Sequence, residues 1–380
     1  MPVDYMHNLL LGVVKSYFEN LFMEKCKKFW VDEDATPEDL QKAIDERLLI
    51  IKPPTCINRT PRTMKDWANW KANEWRTFEL FYALPCLTGI LKKEYVEHLA
   101  LLSVGSCILL QKSVSESDAH YVHRLFQIFC VKYQKYFGED FMYYNIHLLI
   151  HVIPGVLRWG PLFTHNAFMF ESHNRNLLQL KKNPHRVVEE VSKRYVILQA
   201  LPKMLDRFAT ESTLNYCEYI LDQSLARFMV PGSWALQGVG TIEDKLTDDE
   251  TTLLVNHYHP LEICLYYQRI LYKGKRITTS QYAAKRKKND DSVICLNGEE
   301  IVEVRAIFTL ADQTVRLLTR QLLMKDCDIV SNPHLRHLSE LARYGDLKII
   351  KPQEISGQCI FIKTVTGTFL SKMPYGCYGD

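Results

Sequence analysis

The sequence lacks the motifs that assign many enzymes to a class at once. Its eleven cysteines form no Cys-x-x-Cys pair, which excludes a cysteine-paired zinc ribbon and a thioredoxin-type redox motif. No Gly-rich phosphate loop, nucleophile elbow or dinucleotide-binding fingerprint occurs, so neither nucleotide-dependent nor serine-hydrolase chemistry is indicated. An odd, dispersed set of cysteines without a secretory signal predicts reduced thiols in the nucleus or cytoplasm.

The chain also lacks a membrane segment and a strong excess of charge. No apolar run reaches the roughly 18 residues that a membrane span needs. The formal net charge is only +3, so the whole molecule is not an obvious binder of polyanions, and only local basic runs can indicate such a function. The length of 380 residues predicts two or three domains with a substantial hydrophobic core.

Hydrophobic periodicity divides the chain near residue 210. From residue 258 onwards, β-branched and aromatic residues alternate with polar ones, and Asn297-Gly298 is a strong hairpin signal. The residues therefore predict an α+β protein: a mainly helical region (1–210), a helical linker (211–257) and a small β-rich module (258–380). Apolar residues at helical spacing predict helices at 4–30, 37–47 (beginning after Thr36), 67–91, 94–112, 116–136, 144–153 (ended by Pro154-Gly155), 171–180, 187–203 and 212–227.

Five polar residues of the helical region suggest a metal site. Asp4 and His7 are three residues apart, and His147 and His151 are four apart, so each pair would project from one face of a helix. One carboxylate and three imidazoles suit tetrahedral Zn²⁺. Glu171 lies in an aromatic stretch, where a buried carboxylate would need a partner or a metal.

Each of these residues also has a structural interpretation that the sequence leaves open. Asp4 precedes a helical run, where its side chain would cap free backbone N–H groups. Glu171 would be favourable near the N-terminus of its helix. A single histidine is more often satisfied in the core or at the surface than bound to a metal. His165 and His173 lie nearby in the sequence, and either would be able to replace a ligand.

Several short strings, taken in their order and spacing, resemble the transposases of CACTA (En/Spm-type) DNA elements. The resemblance covers nearly the whole chain. It implies that residues 1–210 form the C-terminal part of an RNase H-like catalytic core with a large helical insertion at about 15–140, followed by the β-rich tail. The strings are Pro2-Val-Asp-Tyr-Met-His-Asn-Leu-Leu-Leu-Gly-Val-Val-Lys, Trp70-Lys-Ala-Asn-Glu-Trp, His147-Leu-Leu-Ile-His-Val, Gly160-Pro-Leu-Phe and Phe168-Met-Phe-Glu-Ser-His-Asn.

The resemblance implies a role for each of the five polar residues. Asp4 and His7 match an Asp-x-x-His motif, and His147 and His151 match a paired-histidine helix that precedes the catalytic glutamate, here Glu171. In such enzymes two aspartates and this glutamate hold two Mg²⁺ or Mn²⁺ ions. The two aspartates lie upstream of the Asp-x-x-His motif, and this sequence begins three residues before it. We therefore expect a structural Zn²⁺ at the four ligands, an orphaned Glu171 and no DNA cleavage by this truncated or domesticated copy.

Two basic segments are candidates for contacts with DNA phosphates, which give affinity that depends on salt but not on base sequence. A solvated helix face and a basic hairpin loop are the alternative interpretations. We expect a nuclear DNA-binding protein that self-associates; a non-catalytic protein-interaction module and a non-functional remnant remain the alternatives. The first segment comprises Arg175, Lys181, Lys182 and Arg186, and the second comprises Lys285, Arg286, Lys287 and Lys288.

Overall fold

The computed structural model of the chain describes residues 2–182, 184–208, 210–213, 234–242, 245–259, 262–330, 335, 337–364 and 367–377. Helices form its first part and strands dominate its last part, so the α+β class is confirmed. Two π-helical segments span Tyr5–Val14 and Phe78–Tyr82. The α-helices are α1 (Lys15–Leu21), α2 (Pro37–Leu48), α3 (Ala72–Thr77), α4 (Ala83–Leu87), α5 (Lys93–Leu109), α6 (Glu116–Phe137), α7 (Tyr144–Leu149), α8 (Val152–Trp159), α9 (Phe168–Gln179), α10 (Val187–Phe208), α11 (Asp248–His257) and α12 (Ser280–Lys285).

The first π-helical segment forms the centre of the helical region. Leu9, Leu10 and Val13 are fully buried there, and the segment continues directly into α1. Asp4 caps it, because the Asp4 Oδ2 accepts a hydrogen bond from the His7 backbone N–H at 2.7 Å. The capping interpretation of Asp4 is therefore confirmed, and it orients the start of the chain against the core.

Pro154 and Gly155 do not end a helix, contrary to the prediction. They lie inside α8, where Pro154 is the third residue. A proline is tolerated in the first helical turn because its missing N–H would have had no intrahelical acceptor there. The break comes earlier, between α7 and α8, and His151 is the residue that precedes α8.

The helix predicted at 67–91 is also shorter and interrupted. A 3₁₀ turn at Met64–Asn69 is followed by extended backbone, and helical structure resumes at Ala72. The interruption is stabilised by Glu74, whose side chain accepts a hydrogen bond from the Lys71 N–H at 2.8 Å.

The predicted helix at 212–227 lies mostly outside the described residues, and the region predicted as a helical linker contains a strand at Trp234–Gln237.

Six antiparallel strands of the C-terminal part close into a barrel. Their order around it is β6-β5-β9-β10-β8-β7, and β7 pairs back onto β6. The hairpin predicted at Asn297-Gly298 is confirmed as the connection between β5 and β6. A separate three-stranded sheet has the order β1-β3-β4. The strands are β1 (Trp234–Gln237), β2 (Ile263–Tyr267), β3 (Arg269–Tyr272), β4 (Lys275–Thr278), β5 (Val293–Leu296), β6 (Ile301–Leu310), β7 (Val315–Asp326), β8 (Leu338–Ile350), β9 (Ile355–Thr364) and β10 (Gly367–Lys372).

The helices and the barrel share one hydrophobic core. Ile360, Ile362 and Phe369 of the barrel belong to the same cluster of buried side chains as the π-helical segment and α5. At this interface the Nε2 atom of buried His337 lies 3.3 Å from the Ser103 Oγ of α5. The barrel is therefore held in a defined orientation on the helical region.

No single described helix is long and apolar enough to cross a membrane. One pair of helical segments, Tyr144–Trp159 and Leu162–Gln179, reaches that threshold together, but it is bent by 76°.

Glu79, in the second π-helical segment, is a fully buried carboxyl group. Its side chain has no exposed surface, and burial raises its pKa from 4.5 to about 8. Between these two pH values the folded chain keeps a proton that the unfolded chain releases, so the free energy of unfolding falls as the pH rises from about 4.5 to about 8.

We expect Glu79→Gln to remove this pH dependence, because the amide cannot ionise. The free energy of unfolding of the wild type should fall by about 1 kcal/mol between pH 7 and pH 8, and that of the variant should not. Urea denaturation between pH 7 and pH 8 measures the difference. This range is chosen because it lies above the pH at which His98 and His337, both buried in the folded chain, would titrate in the unfolded chain. Exposed Glu116→Gln is the control; equal slopes for wild type and Glu79→Gln would contradict the expectation.

Candidate metal and nucleic-acid site

Asp4 joins the start of the chain to the start of α9. Its Oδ1 accepts a hydrogen bond from the Ala167 N–H at 2.7 Å, and its Oδ2 lies 2.7 Å from the Nδ1 atom of His7 in addition to the cap described above. Both carboxylate oxygens are thus engaged by protein groups. The contact brings together two segments that are 163 residues apart in the sequence.

Asp4 and His7 line a groove of about 880 Å³ that His165 and His173 also line. Burial lowers the pKa of His165, which favours its neutral form, and its Nε2 has no hydrogen-bond partner among the described residues. A neutral imidazole with a free nitrogen is the form that binds a metal ion. His165 and His173, which were named above as possible replacement ligands, therefore line the same groove as Asp4. The other walls of the groove include the apolar side chains of Trp159, Met169 and Phe170.

His147 and His151 form a second pair, which faces solvent. Their Nε2 atoms are 3.2 Å apart. Two nitrogen ligands of a tetrahedral Zn²⁺ lie about 3.3–3.4 Å apart when each Zn–N bond is about 2.0–2.1 Å. The spacing of this pair therefore fits two corners of a zinc site. Asn145 of α7 contacts the π-helical segment, where its side-chain oxygen accepts a hydrogen bond from Asn8.

The two pairs are each assembled, but they do not form one metal-binding group in this arrangement. Among the described residues, no set of three or more His, Cys, Asp or Glu side chains lies close enough to share an ion. Zn²⁺ bound by Asp4, His7, His147 and His151 together therefore stays a prediction. The histidine pair has the spacing for half of such a site.

Glu171 is not a buried carboxylate, and its place near the N-terminus of its helix agrees with the structural interpretation given above. Glu171 is exposed in the first turn of α9, and its neighbours Met169 and Phe170 are 75% and 71% exposed. Phe168 is the only residue of α9 that packs fully into the core, because the rest of the helix projects from the globular part. Within the part of the chain that the structure describes, Glu171 belongs to no group of three or more His, Cys, Asp or Glu side chains that could hold a metal ion. These residues do not fit the pair of Mg²⁺ or Mn²⁺ ions that strand cleavage requires.

The first basic segment lies on the turn between α9 and α10 and is exposed throughout. Arg175 is on α9, and Lys181, Lys182 and Arg186 are in the turn itself. Arg186 has a positive φ of 52°, which turns the chain into α10, and its guanidinium lies 3.9 Å from Glu189. Neither lysine has a carboxylate within ion-pair distance in the described residues, so both remain available to phosphates.

The second basic segment, Lys285-Arg286-Lys287-Lys288, is not a hairpin loop. Lys285 ends α12, and the three following residues connect this helix to β5. The strands on either side belong to different sheets, because β4 pairs with β3 whereas β5 pairs with β6 and β9. All four side chains are exposed, and the Arg286 guanidinium lies 5.8 Å from the centre of the Tyr282 ring.

The apolar wall of the groove was not predicted from the sequence. Trp159, Met169 and Phe170 follow helical spacing and resemble core residues in the linear pattern, yet all three are more than half exposed. An exposed apolar cluster of this kind marks an interaction surface in many soluble proteins. The signal in the sequence was weak: α9 is apolar at Phe168, Met169 and Phe170 consecutively, which no single helix face can bury.

We expect His147→Ala and His151→Ala each to reduce bound Zn²⁺ from about one ion per chain to almost none, because each removes one of the two ligands with suitable spacing. Inductively coupled plasma mass spectrometry of the untagged protein measures the content. His120→Ala, also at an exposed helical histidine, is the matched control and should retain the metal. Unchanged zinc in both pair variants would eliminate the site. Asp4→Asn and His7→Ala then test whether the other pair contributes ligands.

Comparisons with known protein-family models, with curated proteins and with solved structures find no match to this chain.

Proposed function

We propose that this chain is a DNA-binding protein derived from a CACTA-type transposase and that it does not cleave DNA by itself. The observation that carries the proposal is the exposed basic turn between α9 and α10, where Lys181, Lys182 and Arg186 lie together. Lys181 and Lys182 have no carboxylate at ion-pair distance in the described residues, whereas Arg186 lies 3.9 Å from Glu189. Exposed cations of this kind contact phosphates and release counterions, which gives affinity for DNA of any sequence. Lys285 to Lys288 add a second exposed cluster of the kind that directs nuclear import, so we place the protein in the nucleus, with the cytoplasm as the alternative.

The proposed descent from a transposase is supported by contacts that bring the two ends of the predicted insertion close together. In the proposed arrangement, residues 1–210 are the C-terminal part of an RNase H-like core, and the helices between about 15 and 140 are an insertion into it. An insertion requires its two ends to lie close together in space. Asn8 donates a hydrogen bond to the Asn145 carbonyl at 3.0 Å, and Asp4 contacts Ala167 next to the helix that carries Glu171.

The absence of cleavage follows from the chemistry of the site. Two-metal catalysis needs several carboxylates around a pair of ions. Glu171, the residue that the resemblance matches to the triad, is exposed. A Zn²⁺ ion at His147 and His151 would be structural in this proposal. It would hold α7 and the start of α8 in a fixed geometry.

We expect the wild type to bind a fluorescein-labelled 25-base-pair duplex with an affinity that falls steeply between 50 and 200 mM NaCl. Replacing Lys181, Lys182 and Arg186 with Gln should lower the slope of log K against log salt by about 2–3, since each lost phosphate contact removes about 0.9. Fluorescence anisotropy measures both quantities.

The matched control for this variant replaces Lys42, Lys112 and Lys135 with Gln. These lysines are exposed on other parts of the helical region, so the net charge changes by the same amount. The control should keep most of the wild-type slope. No salt-dependent affinity in the wild type would exclude the DNA-binding function. Equal losses in the two triple variants would show that total charge, and not the α9–α10 turn, determines binding.

A second candidate function is that of a protein-interaction module, and the surface of α10 favours it. Several large apolar side chains of this helix are exposed, and they occupy more than one of its faces, so packing on α9 alone does not cover them. Self-association through α10 is the simplest form of this function. The exposed side chains are Val188, Val196, Ile197, Leu198, Leu201 and Met204.

We expect sedimentation velocity to show a dimer for the wild type, and Ile197→Glu combined with Leu201→Glu to weaken the association at least tenfold, because charges would be buried in the contact. Val131→Glu on α6 is the control at an exposed apolar residue elsewhere. A wild type that stays monomeric at all accessible concentrations would exclude self-association as the role of this surface.

A further inference from the structure

A cleft of about 490 Å³ lies at the barrel and is lined by none of the residues assigned above to metal or DNA. Five parts of the chain form its walls: the loop after α2, helix α12, the connection between α12 and β5, strand β6 and strand β9. Lys52 and Lys363 line it from the first and last of these parts. The two lysines are more than 300 residues apart in the sequence, so no local pattern joins them.

Hydrogen bonds of the backbone explain how Lys52 comes to this cleft. The Pro53 carbonyl accepts hydrogen bonds from the Asn289 side chain at 3.1 Å and from the Asp290 N–H at 3.2 Å. Thr55 donates from its N–H and its hydroxyl to the Asp291 Oδ1, at 2.7 and 3.0 Å. Lys52 is therefore held beside the loop that carries Lys285 to Lys288, whose helix α12 also lines the cleft through Ala283 and Ala284.

The carboxylates of the cleft are already engaged. The Asp290 Oδ1 accepts hydrogen bonds from the N–H and the hydroxyl of Ser292, at 2.9 and 2.6 Å. Glu303 lies 3.2 Å from an Arg305 Nη1, and burial raises the pKa of its carboxyl group. Arg305 in turn contacts the buried Glu250 at 2.7 Å, so this arginine is neutralised within the protein.

An anionic ligand would be bound by the lysines of the cleft that form no ion pair of this kind. In the described residues, no carboxylate lies within ion-pair distance of Lys52 or Lys363. The Lys363 charge acts to lower the pKa of the nearby Glu303, and the Lys363 ammonium lies 5.0 Å from the centre of the Phe361 ring. The exposed run at 285–288 follows directly after Ala284 of the cleft wall and adds four cations next to it in the chain. These cations together cover more surface than a single small anion would contact, and they suit a chain of phosphates.

We propose that this cleft binds a phosphodiester chain, with Lys52 and Lys363 contacting phosphates inside it and Lys285 to Lys288 continuing the contact along its rim. This inference rests on the proposed nucleic-acid binding and adds a second site, on the barrel, that no local motif marks. The cleft volume of about 490 Å³ is within the usual range of ligand pockets, so only a short part of such a chain would lie inside it. The shared chemistry is the charged backbone, which single-stranded DNA, duplex DNA and RNA all present.

The test uses the full chain with three fluorescein-labelled probes of 15 nucleotides or base pairs: single-stranded DNA, duplex DNA and single-stranded RNA. For the bound probe, Lys52→Gln combined with Lys363→Gln should weaken affinity about 5–20-fold near 100 mM NaCl. The slope of log K against log salt should fall by about 1.4–1.8, which corresponds to two lost phosphate contacts. The probe that shows the largest effect identifies the backbone for which the cleft is suited.

Lys42→Gln combined with Lys351→Gln is the matched control, because both lysines are exposed and neither lines the cleft. Its binding should resemble that of the wild type. If the wild type binds a probe but the cleft variant binds it as tightly as the control does, the cleft proposal fails while the proposed function stands. If the wild type binds none of the three probes, both fail.

A second measurement does not depend on the folding of variants. The wild-type protein is treated with an acetylating reagent with and without the bound probe, and lysine modification is read by mass spectrometry. Lys52 and Lys363 should be protected at least threefold by the probe, whereas Lys42 and Lys351 should not. Equal modification of Lys52 and Lys363 with and without the probe would overturn the proposal even if the double variant were unstable.

Discussion

The common core of the helices and the barrel is the constraint on which the other features of this chain depend. Eight residues of the C-terminal part belong to the same buried cluster as the helices. Four lie on barrel strands (Leu338, Ile360, Ile362 and Phe369) and four lie in the segments that follow β7 and β10 (Cys327, Val330, Leu335 and Met373). Full burial of one large apolar side chain contributes about 1.5–3 kcal/mol, so this interface is worth on the order of 10 kcal/mol. A surface ion pair contributes about 0–1 kcal/mol. Apolar burial therefore sets the orientation of the barrel, and the polar contacts at Thr55 and Ser103 follow from it.

Local signals in the sequence predicted the parts of the fold that depend on local chemistry. The helix after Thr36 has the capping box and first-turn proline that its sequence indicates, and it spans Pro37–Leu48. The Asn297-Gly298 turn depends equally on four adjacent residues. Closure of the barrel does not depend on local residues, because β5 pairs with β9 some 60 residues later and no turn signal connects these two strands. The break at His151 was misplaced because a proline ends a helix only beyond its first turn, and periodicity alone does not locate that turn.

Asp4 shows why residue type and spacing did not decide between a structural and a metal-binding role. The same side chain caps the π-helical segment and accepts a hydrogen bond from Ala167, which are the contacts of a structural residue. Loss of an N-cap costs about 1 kcal/mol, whereas a structural zinc site contributes about 10–16 kcal/mol of apparent binding free energy. The observed hydrogen bonds are therefore too weak to exclude a metal. The deciding quantity is the separation between the two ligand pairs, which depends on how π-helix, α7 and α9 pack and which no spacing in the sequence specifies.

The small net charge is a poor guide to the electrostatic surface of this protein, because its acids and bases are distributed differently. Glu250 and Glu79 are buried, and Glu74 is buried against Arg62, so these carboxylates contribute little field at the surface. The basic turn at 181–186 and the run at 285–288 are exposed and largely unneutralised. A surface potential is determined by such exposed charges within a Debye length of about 10 Å, and not by the sum over the chain. The local basic runs were visible in the sequence because their residues are adjacent. Lys52 lies beside the run at 285–288 only because Pro53 is bound to the loop at Asn289, and Lys363 is positioned by strand β9 of the barrel.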